Sequence, residues 1–532
     1  MRKAVRPATR RAVSAPVSIP APVKGWMTSE SLASMKPDSA VLLDNWYPET
    51  DSVRPRGGSA LFASGLGPAP VETLMTFRGG DTERVFAACG PSIFDVSTGA
   101  PATIPITGFR SARWQHLNFP VSGGPQLLAF NGIDVPLRFD GTTWGPLIFT
   151  LAPVGGIGPS APFDATQLIG ACAYADRLFL IAKGGTTIYY PLLPDSFGGD
   201  LGTLAVGGDL ARGGALIAIS RWTHDAGQGP QDTLVAVSDQ GEVVVYQGTN
   251  PSNTATWAQI GKFDIAAAVG RRGLVKLGGD LGILTMDGLQ PMSKVMTLDR
   301  SLDDKVALSA NIRSAIKDAT ARYGSLFGWQ VHAHREKGYL LINVPKAQNT
   351  VADQLVMNIA TGAWSRFTGL NAVCWASFGG KLLFGAANGR VIQADTGFGD
   401  LGQPTAYPLI SAFTAIKGRG SLKQSKLMRA VIMSNVPVSL AVGVCTDYVL
   451  ALPGAAPNAQ DSGAARWDSA RWNVSRWGSA QFGAPQQAWA AAPGIGNAFA
   501  PAAYLTLDGT TPAGADIRLV AFDLLLEVGG LL

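Results

Sequence analysis

Charge is the first scarcity in this 532-residue sequence: Asp, Glu, Lys and Arg make up 15%, against about 25% in ordinary soluble domains. So thin a charge suggests an exterior covered in large part by partners. Cysteine is scarce too. Cys89, Cys172, Cys374 and Cys445 are widely spaced, with no CxxC and nothing like a disulfide framework, so buried free thiols are expected. No apolar run approaches the ~20 residues that span a bilayer, and no apolar signal segment follows the basic start. The expectation is a soluble protein without a membrane span. Acidic residues are missing before Glu30, which leaves Arg2, Lys3, Arg6, Arg10 and Arg11 as a basic arm. Such an arm suits DNA or another anion, or is simply solvated. Pro7, Pro16, Pro20 and Pro22 exclude an amphipathic transit helix there.

What the sequence has in abundance is glycine (64) and proline (34). Together with short apolar runs they mark a turn-rich all-β chain. Leu178-Phe179-Leu180-Ile181 meets Lys183-Gly184-Gly185, and Ile188-Tyr189-Tyr190 returns. Val243-Val244-Val245-Tyr246 follows Asp239-Gln240-Gly241, and Lys381-Leu382-Leu383-Phe384 pairs across Asn388-Gly389 with Val391-Ile392. Leu137-Arg138-Phe139 runs into Asp140-Gly141, a two-residue hairpin signal. The unit recurs every ~45 residues, close to the length of a propeller blade. Stacked sandwiches share that period. Radial closure, which protects strand edges, favours a β-propeller of about six to eight blade-like units. The expected division is a basic disordered arm (1–25), a propeller (26–400) with a helical excursion near 302–321, and a β-rich platform (401–532). That last part holds an irregular Ala/Gly/Trp loop at 453–500.

Catalytic chemistry finds little footing. His332 and His334 share a strand face with Glu336 nearby, but no third metal ligand has the spacing for zinc, and the turn that follows predicts solvent-facing positions. His116 reads as an ordinary strand residue. The loop His224-Asp225-Ala226-Gly227 puts glycine where calcium needs oxygen ligands. Gly207-Gly208-Asp209 and Gly278-Gly279-Asp280 lack the Lys and Ser/Thr of a phosphate loop and read as turns. The Ser-x-Asp-x-Gly-x-Thr-Trp box of sugar-cleaving propellers does not occur. A glycosidase carboxylate pair drawn from distant strands would leave no local signature. No catalytic residue, metal or cofactor is assigned.

Several segments, in order, carry a resemblance. Asp44-Asn45-Trp46-Tyr47-Pro48 precedes Val53-Arg54-Pro55-Arg56-Gly57-Gly58. Arg177-Leu178-Phe179 follows, then Gly241-Glu242-Val243 with Tyr246-Gln247-Gly248-Thr249-Asn250-Pro251, and Asp287-Gly288-Leu289. Val356-Met357-Asn358 with Thr361-Gly362-Ala363-Trp364 completes the series. Over roughly residues 25–400 and Glu527-Val528-Gly529-Gly530, the chain resembles tail hub or nozzle proteins of short-tailed bacteriophages, also described as packaged-DNA stabilisation proteins. The resemblance implies a non-catalytic virion subunit assembled in host cytoplasm. It would form a ring, commonly of six copies, around the DNA exit channel, between the portal and its adaptor and the distal fibre, spike or needle proteins. The double-stranded DNA passes through that ring. A propeller glycosidase or depolymerase, and a non-catalytic receptor-binding propeller, both acting on host surface polysaccharide, are the alternatives.

One motif stands apart: Arg466-Trp467, Arg471-Trp472 and Arg476-Trp477 recur every five residues, and Gln481-Phe482 closes the series. A five-residue period gives no single aromatic face on a strand or a helix. A membrane-surface helix is therefore disfavoured. Stacking on bases suits single strands rather than duplex DNA. Trp and Arg anchors at a subunit or domain contact fit best.

Overall fold

The computed structural model describes residues 15–531 apart from 81, 100–102, 154–157, 226–229, 297–306, 417, 419 and 455–487. The chain divides into two compact units. One, Ser59–Ile359 with Thr368–Thr396, is a seven-bladed β-propeller. Its innermost strands are Val71–Gly79, Gln115–Phe119, Leu168–Tyr174, Leu216–Asp225, Leu274–Leu277, Gln330–His334 and Cys374–Phe378, for blades 1 to 7. Each is followed outward by antiparallel neighbours. Blade 3 gains two further strands, Phe149–Leu151 and Ala161–Pro162, the former parallel to Gly199–Ala205. In blade 7, Lys381–Gly385 and Val391–Ala394 are completed by Ser59–Ala63, which precedes blade 1 in sequence. That strand closes the ring.

The apolar runs follow from this radial stacking, because a blade is covered on both faces. In blade 2, Leu127 and Ala129 pack on blade 1 while Leu128 and Phe130 pack on blade 3. In blade 3, Leu178 and Leu180 face blade 2 while Phe179 and Ile181 face blade 4. In blade 4, Leu234 and Ala236 turn to blade 3, and Val235 and Val237 to blade 5. A strand buried on both sides reads as a continuous apolar run, not as an alternation. Burial of one such Leu, Val or Phe contributes about 1.5–3 kcal/mol, so these inter-blade layers hold the ring together.

The second unit comprises the described residues up to Gly58, Ala360–Phe367, and those from Gly397 onward. One sheet orders Trp46–Pro48, Val53–Pro55, Ile517–Leu531, Ser421–Ser434 and Ala490–Gly496, with Ala15–Pro20 also on Ile517–Leu531. The other orders Ala40–Leu43, Thr405–Ser411, Phe499–Leu507 and Leu440–Thr446. The segment Asp44-Asn45-Trp46 is an internal staple of this unit. Asp44 accepts two bonds from Arg366 at 2.8 and 2.7 Å. The Asn45 amide donates to Ala406 O at 2.8 Å, and the Trp46 indole to Tyr407 O at 3.0 Å. Asn45 has φ +65°, a left-handed conformation that asparagine tolerates better than most residues. Arg56, 2% exposed, donates to both Asp400 oxygens at 3.0 and 2.6 Å and to Asn45 Oδ1 at 2.9 Å.

Several expectations need correction. The propeller unit starts at Ser59, not near residue 26, and residues 26–58 belong to the other unit. Residues 15–20, assigned to the disordered arm, form a strand because Ile517–Leu531 offers them an edge. Between blades 5 and 6 the described residues form a short helix at Met292–Val295, a 3₁₀ turn at Ala310–Ile312 and a helix at Arg313–Tyr323, and residues 302–306 of the expected helical excursion lie outside the described residues. Within 453–500, Ala490–Gly496 is a strand, paired with Ser421–Ser434. The Asp140-Gly141 turn is also longer than two residues, because the Asp140 carboxylate gathers the N–H groups of Thr142 and Thr143.

Candidate functional site

All seven innermost strands contribute to an axial cavity of about 270 Å³, with Thr73, His116, Ala171, Ile219, Leu274, Gln330 and Trp375 among its lining. It opens on one side into a mouth of about 430 Å³ and on the other into one of about 380 Å³. Arg272 crosses it. The backbone of Arg272 bridges to Gln330 of blade 6, and its carbonyl accepts the Val331 N–H at 2.9 Å. Its guanidinium donates to Glu72 O (3.0 Å), Thr73 Oγ1 (2.7 Å) and Trp114 O (2.9 Å), on the opposite wall at blades 1 and 2. Burial lowers its pKa, and the neighbouring Arg113 and Arg271 press in the same direction. Phe327 lies 5.1 Å from this guanidinium and 4.4 Å from that of Arg113. A second tie joins blades 6 and 7: the Gln330 side chain donates to Trp375 O at 2.8 Å and accepts Trp375 N–H at 2.9 Å.

The wider mouth collects Arg113, Lys183, Arg271 and Arg272. Glu72 sits beside it, 3.0 Å from Arg113 Nε. The narrower mouth carries Arg78, Lys276, Arg335, His116, His332 and Glu336. Both ends of the tunnel are therefore basic. Burial depresses the pKa of Arg271 and Lys276.

His334 is not solvent-facing, contrary to the expectation from the turn after it, while His332 is partly exposed. His334 is 2% exposed, and His332 lines the narrower mouth. The strand Gln330–His334 is the innermost of its blade, so its side chains meet blade 7 and the axis rather than bulk water. His332 Nε2 lies 2.9 Å from Ser377 Oγ. His334 Nδ1 contacts Glu336 at 3.1 Å and Ser377 at 3.5 Å. Burial brings the His332 pKa down to about 4. His116 is likewise brought to about 4, by burial first and then by Arg272 and His332. Its side chain is exposed to the tunnel lumen, and desolvation by the surrounding blades is the first cause of the shift. Both rings are neutral at pH 7.

A serine 2.9 Å from an imidazole has nucleophile–base geometry. Here the base is too weak at neutral pH, and the carboxylate of Glu336 orients a different histidine through the nitrogen that also faces the serine. Burial pushes Cys374 up to about 11 and Cys172 to about 12, which makes both poor nucleophiles at neutral pH. No group of three or more His, Cys, Asp or Glu side chains that could hold a metal ion occurs among the described residues. No helix among them is long and apolar enough to cross a membrane.

The basic residues Arg2, Lys3, Arg6, Arg10 and Arg11, and the repeat Arg466, Trp467, Arg471, Trp472, Arg476 and Trp477, lie outside the described residues. Flanking that repeat, Val449 (68% exposed), Leu450, Leu452, Trp489 and Ile495 (60%) are exposed apolar side chains. Trp489 lies under the Arg429 guanidinium at 4.9 Å. The sequence reading missed the axial cluster altogether. Its available signal was Arg271-Arg272-Gly273 immediately before an inner strand.

No family model matches the chain, and no curated protein does. Among solved structures, two crystal structures of BBS1N in complex with ARL6DN are similar. The one soaked with mercury has 11% identity and TM-score 0.27, and the match covers 41% of this chain and 63% of that one. The one soaked with lead has 13% identity, TM-score 0.36 and coverage of 65% and 99%. The computationally designed Ika8 protein matches at 11% identity and TM-score 0.34, over 63% of this chain and 99% of that one. Likenesses this remote bear on neither activity nor partners.

Proposed function

We propose that this protein is a structural subunit of a phage-type tail hub or nozzle. In this reading it self-associates into a ring, of about six copies by the family resemblance, that surrounds the DNA exit path. The ring links portal and adaptor to distal fibre, spike or needle proteins and retains packaged DNA in the virion. The observation that carries the self-association is the exposed apolar set at Val449, Leu450, Leu452, Trp489 and Ile495, at the root of the Arg-Trp segment. Exposed apolar side chains close together along the chain on both flanks of one segment suit a protein contact, and Trp and Arg are the anchors most enriched in such contacts. The identity of the assembly rests on the ordered segments from Asp44 to Trp364 and their resemblance to the tail family.

The axial tunnel constrains the DNA route in this reading. A duplex whose major groove alone is about 12 Å wide does not fit a 270 Å³ cavity crossed by Arg272. DNA would pass between copies, not through a propeller. Light scattering and negative-stain imaging of the full chain, alone and with portal–adaptor complexes, test the proposal. A ring is expected; a stable monomer that also fails to join those complexes counts against it. The depolymerase alternative would show turnover of host polysaccharide abolished by a single Asp or Glu substitution.

A further inference from the structure

We infer that the wider mouth of the axial tunnel is a binding site for a small multivalent oxyanion of the phosphate or polycarboxylate class. This inference is independent of the assembly reading. Lys183 comes from a blade 3 turn and Arg271 from the loop entering blade 5, so the ring topology brings them to one cavity of about 430 Å³. Neither side chain has a hydrogen-bond or ion-pair partner among the described residues. Arg113 and Arg272 add two more cations, and both guanidiniums are held in place by Phe327. Glu72 is the carboxylate that answers them, through Arg113.

Four cations line a half-open hollow with no carboxylate in its lining, and Glu72 stands beside it. A local excess of three positive charges, counting Glu72, is matched by a ligand of two or three negative charges. The volume fits a small molecule and excludes a nucleic-acid duplex. Fixed guanidiniums suit oxyanions because their forked donors meet two oxygens at once. Arg272 is tied to the opposite wall, so Lys183 and Arg271 are the groups free to close on the ligand.

The test is isothermal titration calorimetry of the full chain with pyrophosphate, orthophosphate and citrate, at an ionic strength fixed with sodium chloride. Saturable binding of at least one is expected, weakened tenfold or more in the Lys183→Gln/Arg271→Gln double variant and unchanged in Arg335→Gln at the other mouth. Pyrophosphate without citrate identifies phosphate esters as the ligand source; citrate without pyrophosphate identifies carboxylates. No saturable heat with any of the three overturns the inference, as does equal affinity in the double variant. Should that variant unfold, amine acylation of the wild-type protein gives the answer. Lys183 is expected to be shielded by the bound anion and Lys276 not; equal labelling of Lys183 with and without anion overturns the site.

Discussion

Arg272→Met removes the side chain that spans the propeller axis. Its guanidinium makes three hydrogen bonds, to Glu72 O, Thr73 Oγ1 and Trp114 O, at 2.7 to 3.0 Å. Bonds from a charged donor contribute about 1.5–3 kcal/mol each. Two offsets reduce the sum: methionine relieves the desolvation of the cation, and the freed carbonyls face a cavity where water can reach them. The net cost worked from these terms is about 2–4 kcal/mol. In a domain of this size that lowers the melting temperature of the propeller transition by roughly 3–6 °C. Arg272→Lys keeps the charge but loses the fork, so it should fall between. Differential scanning calorimetry of the three proteins measures the order. If Arg272→Met melts at or above the wild type, the desolvation cost outweighs the hydrogen bonds, and the view of Arg272 as a spoke holding opposite blades is wrong.

Gly389 has φ +65°, and a Cβ there would lie 1.8 Å from Gly67 O; Gly389→Ala should destabilise the propeller by about 2–4 kcal/mol in urea unfolding. His116 and His332 have folded pKa values of about 4, below the ~6.5 of the unfolded chain. The unfolded state therefore binds more protons between these values, and stability falls as pH drops from about 6.5 to about 4. His116→Gln/His332→Gln should flatten that slope, and NMR titration should show both rings neutral at pH 5. Arg56→Met removes the forked bonds to both Asp400 oxygens and should cost the second unit about 3–5 kcal/mol, seen as a selective loss of protection in hydrogen exchange. Finally, Val449→Asp/Ile495→Asp, and separately Trp467, Trp472 and Trp477 to Ala, should abolish ring assembly in light scattering without lowering the melting temperature. A change in DNA affinity that precedes the assembly defect would sink the contact reading of the Arg-Trp segment.

The blades were legible because a strand buried on both faces leaves an apolar run, and the turns between runs are marked by glycine. The closing strand was not, because Ser59–Ala63 finds its partner at Val391–Ala394, and no local pattern announces a pairing so distant. The same limit hid residues 26–58, whose strands pair with segments after Gly397. The axial site was illegible for a different reason. Arg271 and Arg272 read locally as a solvated turn, and only the convergence of seven inner strands turns them inward. His334 was misread by the same omission: on an innermost strand the neighbouring blade covers it.

The pairing of Ala15–Pro20 with Ile517–Leu531 carries a temporal consequence. Val17 meets Leu524, and at about 5–20 residues per second the ribosome needs roughly 25–100 s to make the intervening ~500 residues. The propeller, whose own last strand ends at Ala394, can close well before that. The second unit cannot. Each chain thus emerges with its propeller finished and its opening strands waiting, and the unit that carries Val449 and Ile495 is completed last. In the proposed assembly, synthesis order holds back association until Ile517–Leu531 has been made.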